Sequence, residues 1–157
     1  MTLELTSSAF PHHGAIDPVY TCDGDGRSPP LGWRGAPDGT RSLALILDDP
    51  DAPDPAAPKT TFVHWVLYNL PADSTGLPEG LGPGDLPPGA SQGLNGWDRP
   101  GYGGPCPPVG RHRYVHKLYA LDRLLPDLGA VSKADLEAHM DGHVLERAEL
   151  IGTYERP

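Results

Sequence analysis

Residues 42–68 read SLALILDDPDAPDPAAPKTTFVHWVLY, two apolar runs held apart by an acidic, proline-studded turn. The first, 42–47, is short and almost wholly apolar, the pattern of a strand buried on both faces. It is expected to stop at 48–55, DDPDAPDP, where Pro50, Pro53 and Pro55 each remove a backbone donor and exclude helix. In the second, Phe62 to Tyr68, strict alternation puts Phe62, His64, Val66 and Tyr68 on one face and Val63, Trp65 and Leu67 on the other. Both faces are largely apolar, so this too reads as a central strand. Pairing of the strand that enters the acidic loop with the strand that leaves it would bring His64 close to Asp49 or Asp51.

Working outward, Tyr114 to Leu121 (YVHKLYAL) is rich in β-branched and aromatic residues and reads as a third strand. Leu3 to Leu5 is a short alternating segment, followed by the turn-rich string YTCDGDGRSPPLGW at 20–33. Between Asn69 and Arg113, 20 of 45 residues are Gly or Pro, too many for regular structure. Long stretches of that kind inside a compact domain tend to carry function. Helices are expected only at the end: Ser132 is an N-cap with Asp135 in the first turn, and LEAHM and LERAELI carry helical spacing with a break at Gly142. Strands first and helices last imply a mainly antiparallel β protein with helices packed at one side.

The chain has 157 residues, which points to a single domain over 1–157 with room for a real core. Its 20 Gly and 20 Pro argue against a mainly helical protein, while the clustered apolar runs argue against disorder. A formal charge of −9 makes nucleic acid and anionic membrane surfaces poor partners. No run approaches the length of a membrane helix and the first residues lack a secretory pattern, so stable membrane insertion is not expected and the cytoplasm is the default compartment. Cys22 and Cys106 are therefore expected to be free thiols.

Three features could carry chemistry. Asp48, Asp49, Asp51 and Asp54 crowd the end of a buried strand, and their repulsion has to be relieved by a cation, by donors or by raised pKa values. The spacing lacks the glycine and distal glutamate of a calcium loop, so no metal is expected. His64 lies in an apolar strand, where a charged imidazole is costly without a partner. The string GYGGPCPPVGRHRY at 101–114 combines glycines that permit close approach with prolines that fix the loop, and it delivers His112, Arg113 and Tyr114 at the mouth of a strand. A pre-ordered loop carrying donors makes an anion receptor inside an acidic protein.

Three enzyme-like patterns fail. GASQG at 89–93 has the spacing of a nucleophile elbow around Ser91, with Asp98 and His112 following, but it lacks the flanking strand and helix. His139 and His143 stand four apart without the glutamate of a zinc protease. Gly101 to Cys106 is not a dinucleotide fingerprint, because Pro105 spoils the helix start.

The segments YTCDGDGRSPPLGW (20–33), LILDDPDAP (45–53), FVHWVLYNLP (62–71), GYGGPCPPVGRHRY (101–114), KLYALD (117–122) and GHVLERAELIGTY (142–154) together resemble the phosphatidylethanolamine-binding protein family, in its bacterial branch of Raf kinase inhibitor-like proteins. The resemblance runs in family order over nearly the whole chain. It implies an antiparallel β-sandwich with short C-terminal helices and a small, rigid anion pocket lined by Asp49, Asp51, Pro53, His64, Pro107, Pro108, His112 and Tyr114. It also implies a small anionic ligand, a phosphomonoester or a carboxylate, and a protein partner, a kinase or a protease, that is inhibited. In animal members the ends differ and the stretch between Pro108 and His112 is longer, so the pocket carries over more directly than kinase inhibition.

In this reading Asp49 and Asp51 orient and charge His64 or His112. The imidazolium, the Tyr114 hydroxyl and loop N–H groups donate to the anion. Pro53, Pro107 and Pro108 form an apolar wall, and Arg113, on the opposite strand face, braces the acidic loop. No set of nucleophile, base and oxyanion donors emerges, so a binding protein without a cofactor is expected. The alternative is a hydrolase that uses the Asp and His cluster on a small phosphoester.

Overall fold

The computed structural model describes residues 2–157. Its strands are β1 (Glu4–Thr6), β2 (Gly14–Ala15), β3 (Leu31–Arg34), β4 (Ser42–Ala52), β5 (Thr60–Pro71), β6 (Gly76–Leu77), β7 (Ser91–Gln92), β8 (His112–Leu121) and β9 (Val144–Tyr154), with one α-helix, α1 (Lys133–Met140), before the last strand. Six strands form one sheet in the order β2-β9-β8-β4-β5-β7, and β1, β3 and β6 form a second. All neighbours pair antiparallel except β2 with β9. The protein is mainly β, with two sheets and one short helix near its C-terminus.

The apolar run of β4 is explained by what covers it. Leu43, Leu45 and Leu47 meet Trp65, Leu67 and Leu118 in the core that also takes Leu5, Leu31 and Trp33 from the small sheet. Ala44 and Ile46 point the other way, into a second core with Val66, Tyr68, Leu121 and the α1 residues Leu136 and Met140. A central strand buried on both faces has no polar position to offer, so alternation disappears. Each fully buried Leu or Ile there contributes about 1.5–3 kcal/mol relative to exposure.

Two corrections concern strand limits and type. β4 does not stop at Leu47 but continues through Asp48, Asp49, Pro50 and Asp51 to Ala52, with ladder irregularities after Leu47 and after Asp49. LERAELI is strand, not helix. The whole of β9 pairs with β8, from Val144 opposite Leu121 to Tyr154 opposite His112. Its buried positions, Leu150, Gly152 and Tyr154, recur at period two. Cross-strand pairing overrides the helix preference of Leu, Glu, Arg and Ala.

Cys22 and Cys106 are not free. They form a disulfide, with Cα atoms 5.4 Å apart across 84 residues of sequence. The 20–26 and 101–108 loops run side by side there, and the Cys22 N–H donates to the Pro105 carbonyl at 3.0 Å. No described helix is long and apolar enough to cross a membrane.

Candidate functional site

Where β4, β5 and β8 meet the 101–108 loop, a cavity of about 460 Å³ opens beside the acidic end of β4. Register decides which side chains reach it. Leu47 pairs with Trp65 but Asp48 pairs with Val63, so His64 is the extra residue of a β-bulge. Val63 and Val66 both face the helix-side core, and His64 is turned to the opposite side, into the cavity. The alternation that placed His64 beside Val66 and Tyr68 fails at this residue. A second irregularity, between the Asp49–Phe62 and Ala52–Thr60 pairs, separates the two aspartates that a two-residue spacing would put together.

Their partners differ accordingly. The Asp49 carboxylate receives His112 Nδ1 at 2.6 Å, and both side chains are buried. Asp51 instead binds Arg113: Oδ2 accepts from the Arg113 backbone N–H at 2.9 Å and from Nε at 3.0 Å, and Oδ1 accepts from Nη2 at 2.8 Å. The Arg113 guanidinium holds the Asp51 carboxyl below the usual carboxylate range. Asp51 does not line the cavity. Of the eight site residues read from the sequence, Asp49, Pro53, His64, Pro107, Pro108, His112 and Tyr114 do. Arg113 braces the acidic loop, as the strand parity of β8 predicts.

His112 is committed on both sides. Its Nδ1 faces Asp49 and its Nε2 faces the Val109 carbonyl at 2.8 Å. With a partner at each ring nitrogen, neither is left free toward the cavity. His64 gives Nδ1 to the Gly103 carbonyl at 2.7 Å. Nε2 is then its remaining polar atom, and among the described residues it has no hydrogen-bond partner. Burial pushes His64 below the ordinary histidine pKa, against the smaller opposing effects of the Gly103 carbonyl and Asp49. Of the two histidines that the carboxylates were expected to orient, Asp49 takes His112, Asp51 takes neither, and desolvation dominates at His64.

Between the two imidazoles lies Tyr114, wholly buried, with a hydroxyl that has no hydrogen-bond partner among the described residues. Burial, reinforced by the Asp49 charge, raises its pKa, so the hydroxyl stays a donor. The His64 ring stands edge-on to Tyr114 at 5.3 Å, and the His112 ring lies nearly parallel to it, at 17° and 6.3 Å.

The sequence reading missed the aromatic mouth. Phe62 and Trp97 line the cavity and contact each other edge to face at 4.8 Å, and each also meets the His64 ring. Two glycines make room for them. A Cβ on Gly96 would lie 2.5 Å from the Phe62 ring, and one on Gly103 would lie 2.0 Å from Trp97. A tryptophan between glycines in a turn-rich loop was the available signal. Lys59, Thr60, Ala52 and Cys106 complete the lining. Ser91, the rejected nucleophile, sits on β7 and is absent from it, as are His139 and His143.

Residues 6–155 match the family model described as phosphatidylethanolamine-binding protein. A UPF0098 protein of Methanothermobacter thermautotrophicus is 50% identical over 155 residues, covering 98% of this chain and 99% of the relative. The crystal structure of CT736 from Chlamydia trachomatis, a homologue of phosphatidylethanolamine-binding protein, superimposes with a TM-score of 0.91 at 42% identity over 99% of each chain. That of Escherichia coli YbcL, described as a new member of the mammalian family, gives 0.90 at 32% identity over the whole of both chains. A carboxypeptidase Y inhibitor, solved with its cognate proteinase, shares the fold alone, at 19% identity and a TM-score of 0.53.

Proposed function

Because the chain belongs to the phosphatidylethanolamine-binding protein family, we propose that the cavity beside Asp49 is a receptor for a small anionic ligand, a phosphomonoester or a carboxylate. The observation that carries this reading is the Tyr114 hydroxyl. Tyr114 lines the cavity, and its buried hydroxyl has no hydrogen-bond partner among the described residues. An unsatisfied buried hydroxyl costs about 1–3 kcal/mol, and an anion in the cavity supplies the acceptor. His64 Nε2 lies in the same lining and adds a charged donor when it takes up a proton. The Asp49 charge, which would repel an anion, is spent on His112.

Binding without turnover is the better-supported activity. Both His112 nitrogens are held within the chain, which leaves Nε2 of His64 as the candidate base, and among the described residues the cavity lining gives it no serine or free thiol to activate. Inhibition of a protein partner, a kinase or a protease, fits a pocket whose mouth exposes Trp97 and is walled by prolines, with the anionic group of the partner as the anchor.

The test is calorimetric titration of sulfate and of inorganic phosphate into wild type and Tyr114→Phe. Loss of the hydroxyl alone should weaken both anions at least tenfold, equivalent to about 1.4 kcal/mol, without lowering Tm. Unchanged affinity in Tyr114→Phe would remove the site from consideration.

A further inference from the structure

The geometry points to the Cys22–Cys106 disulfide as a redox gate on the anion pocket: while the bond is closed it holds one wall of the cavity in place, and its reduction lets that wall go. The inference rests on the anion-binding reading of the cavity.

Three observations combine. First, Cys22 and Cys106 are both solvent-exposed, and Cys106 lies in the cavity lining next to Pro107 and Pro108. Exposed disulfides are the ones open to thiolate attack and to regulatory use. Second, little else fixes that wall. Pro105, Pro107 and Pro108 have no N–H, and among the described residues the backbone from Pro105 to Arg111 makes one backbone hydrogen bond, from Cys22 N–H to the Pro105 carbonyl. Side chains add His112 Nε2 to the Val109 carbonyl and a solvent-exposed ion pair of Arg111 with Glu155 at 3.7 Å.

Third, the two sides of the disulfide are unequally anchored. The Cys22 side is fastened to β9 by Asp23, which accepts from the Tyr154 hydroxyl at 2.6 Å and from Arg156, and is closed internally by the Gly26 N–H donating to the Val19 carbonyl. The Cys106 side is anchored as far as Gly103, whose N–H donates to the His64 carbonyl at 2.9 Å and whose own carbonyl orients the His64 ring, with the Tyr102 hydroxyl donating to the Tyr20 carbonyl at 2.7 Å. One side is thus a fixed post and the other, from Gly104 on, is the arm that carries the proline wall of the pocket. Opening the bond frees that arm, while Gly103 keeps the His64 ring in place.

The chemistry needs a dithiol reductant. Its thiolate attacks one sulfur of the exposed bond, and the other sulfur leaves as a thiolate and takes up a proton. The second thiolate of the reductant then displaces the mixed disulfide. The protein gains two electrons and two protons, and the reductant leaves as its own disulfide.

If one-tenth of reduced molecules keep the wall closed, the apparent affinity for an anion falls about tenfold. Sulfate is titrated calorimetrically at about pH 6, just below the histidine reference value. The samples are oxidised protein, protein reduced beforehand with dithiothreitol and kept under argon, and Cys22→Ser/Cys106→Ser, with amide hydrogen exchange followed on all three. The expected result is sulfate binding about tenfold weaker or worse in the reduced protein and the double variant. Faster exchange should be confined to the amides of Cys22 and of Gly104 to Arg111, and reoxidation should restore both readouts.

Equal affinity in all three samples overturns the gate. So does faster exchange spread through the six-stranded sheet, which would make the bond a brace for the whole fold. Failure of the oxidised protein to bind sulfate would sink the anion site instead, and exchange alone would then decide the gate: local acceleration upholds it and an unchanged pattern overturns it.

Discussion

Asp51 clasps Arg113 at three points, two on the guanidinium and one on the backbone N–H, and by doing so fixes the start of β8 against the end of β4. The strand that carries His112 and Tyr114 is thereby set in register beside the strand that carries Asp49, so a residue outside the cavity determines the cavity floor. Arg113 is half exposed, so solvent screens much of the charge attraction.

Asp51→Asn should lower stability at neutral pH by about 0.5–1.5 kcal/mol, the range for an ordinary hydrogen bond, because exposure of Arg113 screens the added charge attraction. The sign with pH follows from the direction of the shift. The folded-state pKa of Asp51 lies below its unfolded value, so its contribution is present above the unfolded value of about 3.9 and is lost as pH falls through the folded one. Urea midpoints of wild type and Asp51→Asn should differ at neutral pH and converge in strong acid. A constant gap would show that the carboxylate charge is not what holds Arg113.

Asp49 and His112 form a buried pair, and removing one partner strands the other. Asp49→Ala should cost about 1–3 kcal/mol, the range for leaving a buried hydrogen-bonding group without its partner. Chemical denaturation of Asp49→Ala beside Asp51→Asn measures the contrast. A smaller loss at Asp49 than at Asp51 would mean that His112 finds water or another acceptor when its carboxylate is gone.

Sulfate stays dianionic through the histidine range, so the pH dependence of its binding reports on the protein. Burial depresses His64, so the free ring is charged only at pH values below the ordinary histidine range. Sulfate affinity should therefore rise as pH falls through that lower range and be lost as pH climbs back, with net proton uptake on binding. Calorimetry in buffers of different ionisation enthalpy detects the proton directly. Affinity that is flat from about pH 5 to 8, with no proton uptake, would mean that Tyr114 and backbone N–H groups bind the anion without His64.

Much of this was legible along the chain, and what was not has identifiable causes. The strands around 42–47, 62–68 and 114–121 declare themselves because apolar and β-branched residues persist over their whole length. The face of His64 does not, since a one-residue bulge leaves no periodic mark in the residues around it. The same holds for Asp51, which two-residue spacing assigns to the side of Asp49. LERAELI satisfies helical and extended patterns alike, and pairing with β8, twenty or more residues away, chooses between them. Nothing in the spacing of Cys22 and Cys106 says that their loops touch. Strand pairing had already set His64 near Asp49 or Asp51, and the loop at 101–114 had delivered His112 and Tyr114 at the mouth of a strand; the resemblance gathered these residues into one pocket.

The bulge at His64 is a matter of residue count, not of residue identity. Any side chain at position 64 is presented to the cavity, so the binding chemistry is open to change by substitution while the frame stays intact. Removing a single residue between Phe62 and Trp65 would do the opposite: the ladder would close up as a plain one, the sandwich would keep its two cores, and position 64 would have no counterpart facing the cavity. Chain length in this short stretch thus guards where the pocket is, and sequence is left free to decide what it holds.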